Sequence, residues 1–423
     1  GTPILKKGFP DLPKLTTSVI IPNDKEMQVT VTGSHFTDYG NVRVAPSKGT
    51  LLRTIDPSMV SYEYGSSYQE NKFFPEKLAE LREPYILRDF RGQTIIVYPY
   101  QYNPVTQTLR VYSDITVSVS PKGSGTGINV LNTATNSGKV SAEFGHVYSN
   151  HFINYNNGTR YEPLAEEGNM LIISYGSFMN AMQPFIDWKI QKGIKTEMVD
   201  VATIGNNKTA IKDYVLNYYN TKGLTFLLLV GDYDQVTSST TGAGDSDNDY
   251  GYILGNDHYQ EIFVGRFSAE TEADVTTQVN RTLMYEKTPL IDSYYAKGVG
   301  IASEFGPGDD NEWDWQHEEN IRTELMNYNY TAIQDLYNGT WAGTANDASG
   351  NPTAANLADQ VNAGIGIINY TGHGSTSSIV TTGFNNTSVN SLLTNTTKWP
   401  FLWIVGCEVG NFTGPTCFAE AWA

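Results

Sequence analysis

From about Tyr161 onward the chain keeps returning to short, continuous apolar runs, among them "NMLIIS", "TFLLLVGD", "GVGIAS", "IGIINY" and "FLWIV". Between them lie stretches with apolar residues at helical spacing, such as "SFMNAMQPFIDWKIQKG", "KTAIKDYVLNYYNT", "WQHEENIRTELMNY" and "AANLADQVNAG". A strand that is apolar on both faces has to be covered on both faces. Amphipathic helices in the connections supply that cover, so the alternation predicts an α/β region built on a parallel sheet flanked by helices. In the first helix, Phe178, Met182, Phe185 and Ile190 are the expected buried stripe, ended by Gly193. The segment "GDSDNDYGYILGNDHYQEIFVGRF" interrupts the alternation and is expected to pair as a hairpin.

The first 120 or so residues have a different rhythm. "EMQVTVTGSHF" alternates, and "TIIVYPYQYNPVTQTLRVYSDITVSVSP" reads as two strands joined at the turn dipeptide Asn103-Pro104. Strand following strand predicts an antiparallel domain. The Gly-, Ser-, Thr- and Asn-rich stretch at about 121–140 cannot bury enough apolar surface to order itself and is expected to be a linker. A chain of 423 residues suggests two or three domains. The expected division is 1–160, 161–290 and 291–423, the last two lying side by side.

Charge and cysteine content narrow the function. Lys and Arg number 28 against 45 Asp and Glu, a net charge of −17 that argues against a nucleic-acid partner. Two cysteines, Cys407 and Cys417, cannot make a disulfide scaffold; they can pair with each other or leave a reactive thiol. No apolar run approaches the ~20 residues of a membrane helix.

In open α/β sheets, reactive groups collect at the carboxyl ends of strands. Two strands here end in chemistry: "IGIINY" runs into Thr371-Gly372-His373-Gly374-Ser375, and "FLWIV" runs into Gly406-Cys407-Glu408. Taken alone, a Gly-His-Gly turn is an ordinary structural feature, and a cysteine after an apolar strand is an ordinary small hydrophobe. Placed at the ends of neighbouring strands, they become an imidazole and a thiol that can meet. The thiol needs a nearby base or cation to ionise, and the imidazole titrates in the range that lets it protonate a departing amine. Glycines on either side allow a peptide to approach and leave N–H groups for an oxyanion.

These residues, together with "VGCEVGNF…PTCFAEA", "FIDWKIQKGIKTEMV", "LLLVGDYD", "YGYILGNDHYQEIFVGRFS" and "DWQHEENI", resemble the gingipains, the C25 cysteine peptidases of the caspase-like group, and in particular the arginine-directed kind. "LREPYILRDFRGQTIIVYPYQYNPVTQTLRVYSDITV" resembles the family's propeptide, so the likeness covers nearly the whole chain. It implies a caspase-like fold preceded by a β-rich prodomain, and a secreted zymogen that cleaves after Arg. It further implies Cys407 as nucleophile, His373 as general acid, and the N–H groups of Gly374 and Cys407 as oxyanion hole. Glu304 falls where the family places a carboxylate that orients the histidine; a solvated loop glutamate is the competing reading. Asp314 corresponds to the acid at the base of the arginine pocket, with Trp313 as a candidate wall; a helix-capping acid is the alternative.

The likeness also places the activation cut after Arg160, before Tyr161, and makes the propeptide an intramolecular inhibitor, with Lys48 and Arg53 as candidates to occupy the pocket. No organic cofactor is implied. Asp245, Asp247, Asp249 and Asp257 form a calcium candidate, since the family binds calcium, although the EF-hand pattern is absent and solvated loop acids are the preferred reading. Gingipains continue beyond the point corresponding to Ala423, so the chain is expected to be a fragment. The alternatives are a lysine-directed or secretion-system processing peptidase of the same family, or a non-catalytic binding module.

Overall fold

The computed structural model describes residues 1–52, 55–132, 140–155, 168–241, 244–306, 312–339, 347 and 350–423. After residue 168 the dominant features are two four-stranded sheets, each wholly parallel. The first contains β1 (Met170–Ser174), α1 (Met179–Gln191), β2 (Thr196–Asp200), α2 (Lys208–Lys222), β3 (Phe226–Val230), β4 (Phe263–Phe267) and α3 (Glu272–Glu286), with strand order β2-β1-β3-β4. Every residue of β1 is buried, because helices cover both faces. Ile172 shares a cluster with Met182, Phe185 and Val279, while Leu171 and Ile173 share one with Ile211 and Val215. Each such side chain contributes about 1.5–3 kcal/mol by leaving water.

The second sheet contains β5 (Lys297–Ala302), α4 (Asp314–Asn327), β6 (Ala332–Tyr337), α5 (Ala354–Ala363), β7 (Ile367–Thr371), α6 (Asn386–Leu392) and β8 (Phe401–Val405), in the order β6-β5-β7-β8. Ile301, Ile368 and Tyr370 pack with Leu357 and Val361 of α5 on one face. Helix α4 covers the other, where Glu318 meets Asn369 and Thr371. Strand β8 lies at one edge of the described sheet, and on one face it leaves Phe401, Trp403 and Val405 between 55 and 59% exposed.

The amino-terminal part is antiparallel. The strand Pro13–Ile20 pairs with Phe90–Val97, which also pairs with Tyr85–Leu87, and Lys25–Tyr39 pairs with Thr108–Thr126, which pairs in turn with Tyr100–Asn103. The Asn103-Pro104 turn closes that last hairpin, as its composition predicts.

Three local expectations need correction, and one helix lies where no element was expected. The linker assigned from residue 121 begins as strand: Pro121 pairs with Met27 and Thr126 with Lys25, because a long partner strand supplies hydrogen bonds that composition alone does not count. A helix, Ala142–His151, closes the amino-terminal part by burying Phe144 and Tyr148, one turn apart. In α1, Ile190 is 54% exposed; the buried face is Met182, Phe185, Ile186 and Lys189, and the Lys189 ammonium is neutralised by Glu286 at 2.7 Å. Finally, the Asp-rich segment does not pair as a hairpin. Its short strand Gly244–Asp245 pairs with Thr240–Thr241, and its end is β4, which joins β3 in parallel.

Candidate active site

Strands β7 and β8 are neighbours in register, with Thr371 opposite Val405. The ladder continues one step further, since the Gly372 N–H donates to the Val405 carbonyl at 3.2 Å. His373 and Cys407 therefore each stand two residues beyond the same rung, at the carboxyl rim of the sheet. The glycines beside the histidine are dictated by proximity. A Cβ on Gly374 would lie 2.6 Å from the Cys407 carbonyl oxygen and 3.2 Å from its nitrogen, and a Cβ on Gly372 would lie 2.7 Å from the Tyr370 hydroxyl oxygen. Any side chain at 374 would push the cysteine turn away from the histidine turn.

The histidine backbone is held firmly: its carbonyl accepts the Tyr370 hydroxyl at 2.5 Å and the Val380 N–H at 2.9 Å. The edge of the Phe305 ring meets the imidazole, with centroids 4.6 Å apart and planes at 82°. Glu304, the preceding residue, is exposed, and no hydrogen bond joins it to His373 among the described residues. The two thiols have separate fates. Cys407 is exposed and free; Cys417 is free but fully buried, and burial pushes its thiol up to about 11.

Asp314 opens α4 and is only 2% exposed. Its N–H donates to the Phe305 carbonyl at 2.9 Å, and its Oδ2 accepts the Ser303 hydroxyl. Ser303 in turn donates its N–H to the Thr371 carbonyl at 3.1 Å, so the carboxylate is tied to the strand end that carries His373. Trp313 is the N-cap of α4, directly beside it.

Glu318, one turn further along α4, was not singled out from the sequence. It is buried, accepting Asn369 Nδ2 at 2.7 and 2.8 Å and Thr371 Oγ1 at 2.8 Å. The available signal was the pair of polar residues, Asn369 and Thr371, at alternate positions of an otherwise apolar strand. Burial pushes its carboxyl up from about 4.5 to about 7, with the nearby Asp314 charge adding to the effect. Because the unfolded chain releases this proton first, the stability it confers is fully present below about pH 4.5 and is lost as pH rises through about 7, a change on the order of 3 kcal/mol. Glu318→Gln is expected to flatten that dependence in thermal unfolding between about pH 5 and about pH 8. Identical pH profiles for variant and parent would refute the assignment.

Profile comparison identifies residues 164–423 with peptidase family C25 and residues 1–158 with the C25 propeptide. The chain belongs to peptidase family C25. All of it aligns with gingipain R1 of Porphyromonas gingivalis at 41% identity, covering 42% of that relative, and with gingipain R2 at 40% identity, covering 56%. Lys-gingipain HG66 of the same organism matches 98% of the chain at 28% identity. The crystal structure of the Arg-specific cysteine proteinase gingipain R superimposes with a TM-score of 0.56 at 37% identity, over 61% of this chain and 59% of that one. The architecture is thus the caspase-like one of this C25 relative, with its propeptide. The chain spans about half the length of the curated relatives it matches.

The remaining C25-derived expectations fare unevenly. Arg53, Arg160 and Tyr161 lie outside the described residues, as does the side chain of Asp245. Lys48 donates to the Pro57 carbonyl at 2.5 Å and lies over the Tyr62 ring, inside the propeptide part. Three of the four acids in the calcium reading have protein partners. Asp247 is bound by Arg266 at 2.7 Å, Asp249 by Lys208 at 2.9 Å, and Asp257 by the N–H groups of Ile86 and Tyr259. No group of three or more potential ligands is assembled for a metal among the described residues.

Proposed function

We propose that this chain is the propeptide and part of the catalytic region of a secreted cysteine endopeptidase zymogen that cleaves after Arg. The observation that carries the reading is the juxtaposition of the Gly374 and Cys407 backbones at the ends of two adjacent parallel strands. The Cys407 thiolate attacks the carbonyl carbon of the P1 residue, and the resulting oxyanion takes hydrogen bonds from the Gly374 and Cys407 N–H groups. His373 gives a proton to the departing amine as the C–N bond breaks. Water then attacks the thioester, releasing the acid and restoring the thiol. Glu304 would act only by orienting the imidazole from its exposed loop.

Asp314 supplies the charge that selects a basic P1 side chain, with Trp313 beside it. A guanidinium binds a carboxylate through a fork of two N–H groups, whereas an ammonium binds as a point charge, and the higher identity to the R-type gingipains supports Arg. Residues 1–160 form the inhibitory propeptide, removed by a cut after Arg160. Residues 161–290 and 291–423 form two catalytic subdomains. No helix among the described residues is long and apolar enough to cross a membrane. Two peptides differing only in Arg or Lys at P1 test the assignment. Arg is expected to give at least a tenfold higher kcat/KM; a faster Lys peptide would favour the lysine-directed alternative. Labelling of Cys407 by a peptidyl-arginine chloromethylketone, lost in His373→Ala, separates either enzyme from a binding module.

A further inference from the structure

The propeptide part meets the first parallel sheet at the rim opposite to the one where reactive groups gather. The contact centres on the turn between Tyr85–Leu87 and Phe90–Val97. Arg88 occupies that turn with a φ of 49°, a left-handed conformation that is uncommon outside glycine. Its side chain leaves the propeptide and enters the amino-terminal ends of β3 and β4. There Nη1 donates to the carbonyls of Leu224 and Glu261, both at 2.6 Å, and Nη2 to Thr225 Oγ1 at 3.4 Å. The guanidinium lies 4.7 Å from the Phe144 ring centroid on the propeptide side and 5.5 Å from that of Tyr219 on α2. Only 13% of this side chain is exposed.

The neighbours reinforce the contact. Tyr85 stacks on Tyr259 with centroids 3.9 Å apart, and the Ile86 N–H donates to Asp257 Oδ2 at 2.8 Å. The Phe144 ring lies 4.7 Å from Phe263, and the Asn256 N–H donates to Asn129 Oδ1 at 3.0 Å. Asn129 is fixed from behind by the buried Arg91, whose guanidinium bridges the carbonyls of Pro22, Lys25, Ile128 and Asn129 within the propeptide. On the receiving side, Glu261 is fully buried and accepts the N–H groups of Ile253, Leu254 and Arg88. One arginine therefore draws on two carbonyls and a hydroxyl that the sheet's own ladder leaves over at its strand starts.

We propose that Arg88 is the anchor of a retention surface that holds the propeptide on the catalytic part after the joining segment is cut, independently of whatever occupies the substrate pocket. Its partner is the amino-terminal rim of the first sheet, recognised by charge-assisted hydrogen bonds to main-chain carbonyls and by aromatic stacking. This rests on the assignment of residues 1–158 as propeptide and not on the peptidase chemistry.

The test uses the full chain with Cys407→Ala, so that no hydrolysis by the protein itself enters the measurement. A recognition sequence for an unrelated site-specific protease is placed between residues 158 and 164, at the gap between the two family matches. After cutting, the two pieces are expected to co-elute in gel filtration. Arg88→Ala is expected to weaken their association at least 100-fold, and Arg88→Lys to fall between, because an ammonium cannot span the same acceptors. Asp257→Ala, on the receiving side, is expected to cost about tenfold through the lost Ile86 bond. Should the uncut Arg88→Ala chain fail to unfold cooperatively, Asp257→Ala and Arg88→Lys decide the matter. Pieces of all variants that stay together as tightly as the parent would overturn the proposal.

Discussion

Replacing Cys407 by alanine is expected to reduce hydrolysis of an Arg–X peptide by about 10⁴-fold or more, to the level of a chain with no nucleophile. In the proposed reaction the sulfur forms the bond that defines the intermediate, so no neighbouring group would substitute for it. Cys417 is not a reserve: with its thiol pushed up to about 11, only about one molecule in ten thousand carries a thiolate there at pH 7, and it is enclosed. The same contrast gives an assay that needs no substrate. Brief iodoacetamide treatment of the native protein at neutral pH is expected to add one carbamidomethyl group, located at Cys407 by peptide mapping. Cys417→Ala is expected to leave both labelling and turnover in place. A Cys407→Ala protein that keeps more than about 1% of the activity would remove the chemistry proposed for this rim.

The second large effect is expected from Asp314→Asn, a change of charge with almost no change of shape. Leaving a buried cation without its counter-charge costs about 2–5 kcal/mol, so kcat/KM for an Arg peptide is expected to fall roughly 30- to 5000-fold. A peptide with a neutral P1 residue is expected to lose little. The asparagine Oδ1 can still accept the Ser303 hydroxyl, so the tie between Ser303 and the start of α4 is kept. Because an amide costs less to bury than a carboxylate, thermal stability is expected to hold or rise. An equal loss on the Arg and the neutral peptide would mean that Asp314 supports the loop rather than the specificity.

The meeting of the Cys407 and His373 turns at one rim was legible because its signals are local. An apolar run that ends at Gly-Cys or Gly-His announces a strand terminus, and parallel topology brings such termini to one rim. The glycines flanking His373 were legible as permissive residues, but the reason for Gly374, the Cys407 main chain within 2.6 Å of its missing Cβ, depends on a strand pairing 34 residues away. Glu318 was legible only indirectly, through the polar pair Asn369 and Thr371, since an acid on a charged helix looks solvated until its face is known to point at them. Ile190 failed for the opposite reason. It lies near the apolar stripe, but Ile186 and Lys189 continue the face that meets the sheet, and the lysine stem fills the place assigned to the isoleucine. Nothing in "ILRDFRG" shows that its first arginine reaches across to another sheet while its second serves the propeptide itself.

The order of strands in the second sheet makes the His373 and Cys407 turns mechanically unequal. His373 extends from β7, which is clamped by ladders on both sides, whereas Cys407 extends from β8, which is hydrogen-bonded to only one described neighbour. The Cys407 turn thus rides on the looser support, and whatever braces the flank of β8 that has no described neighbour steadies it from a distance.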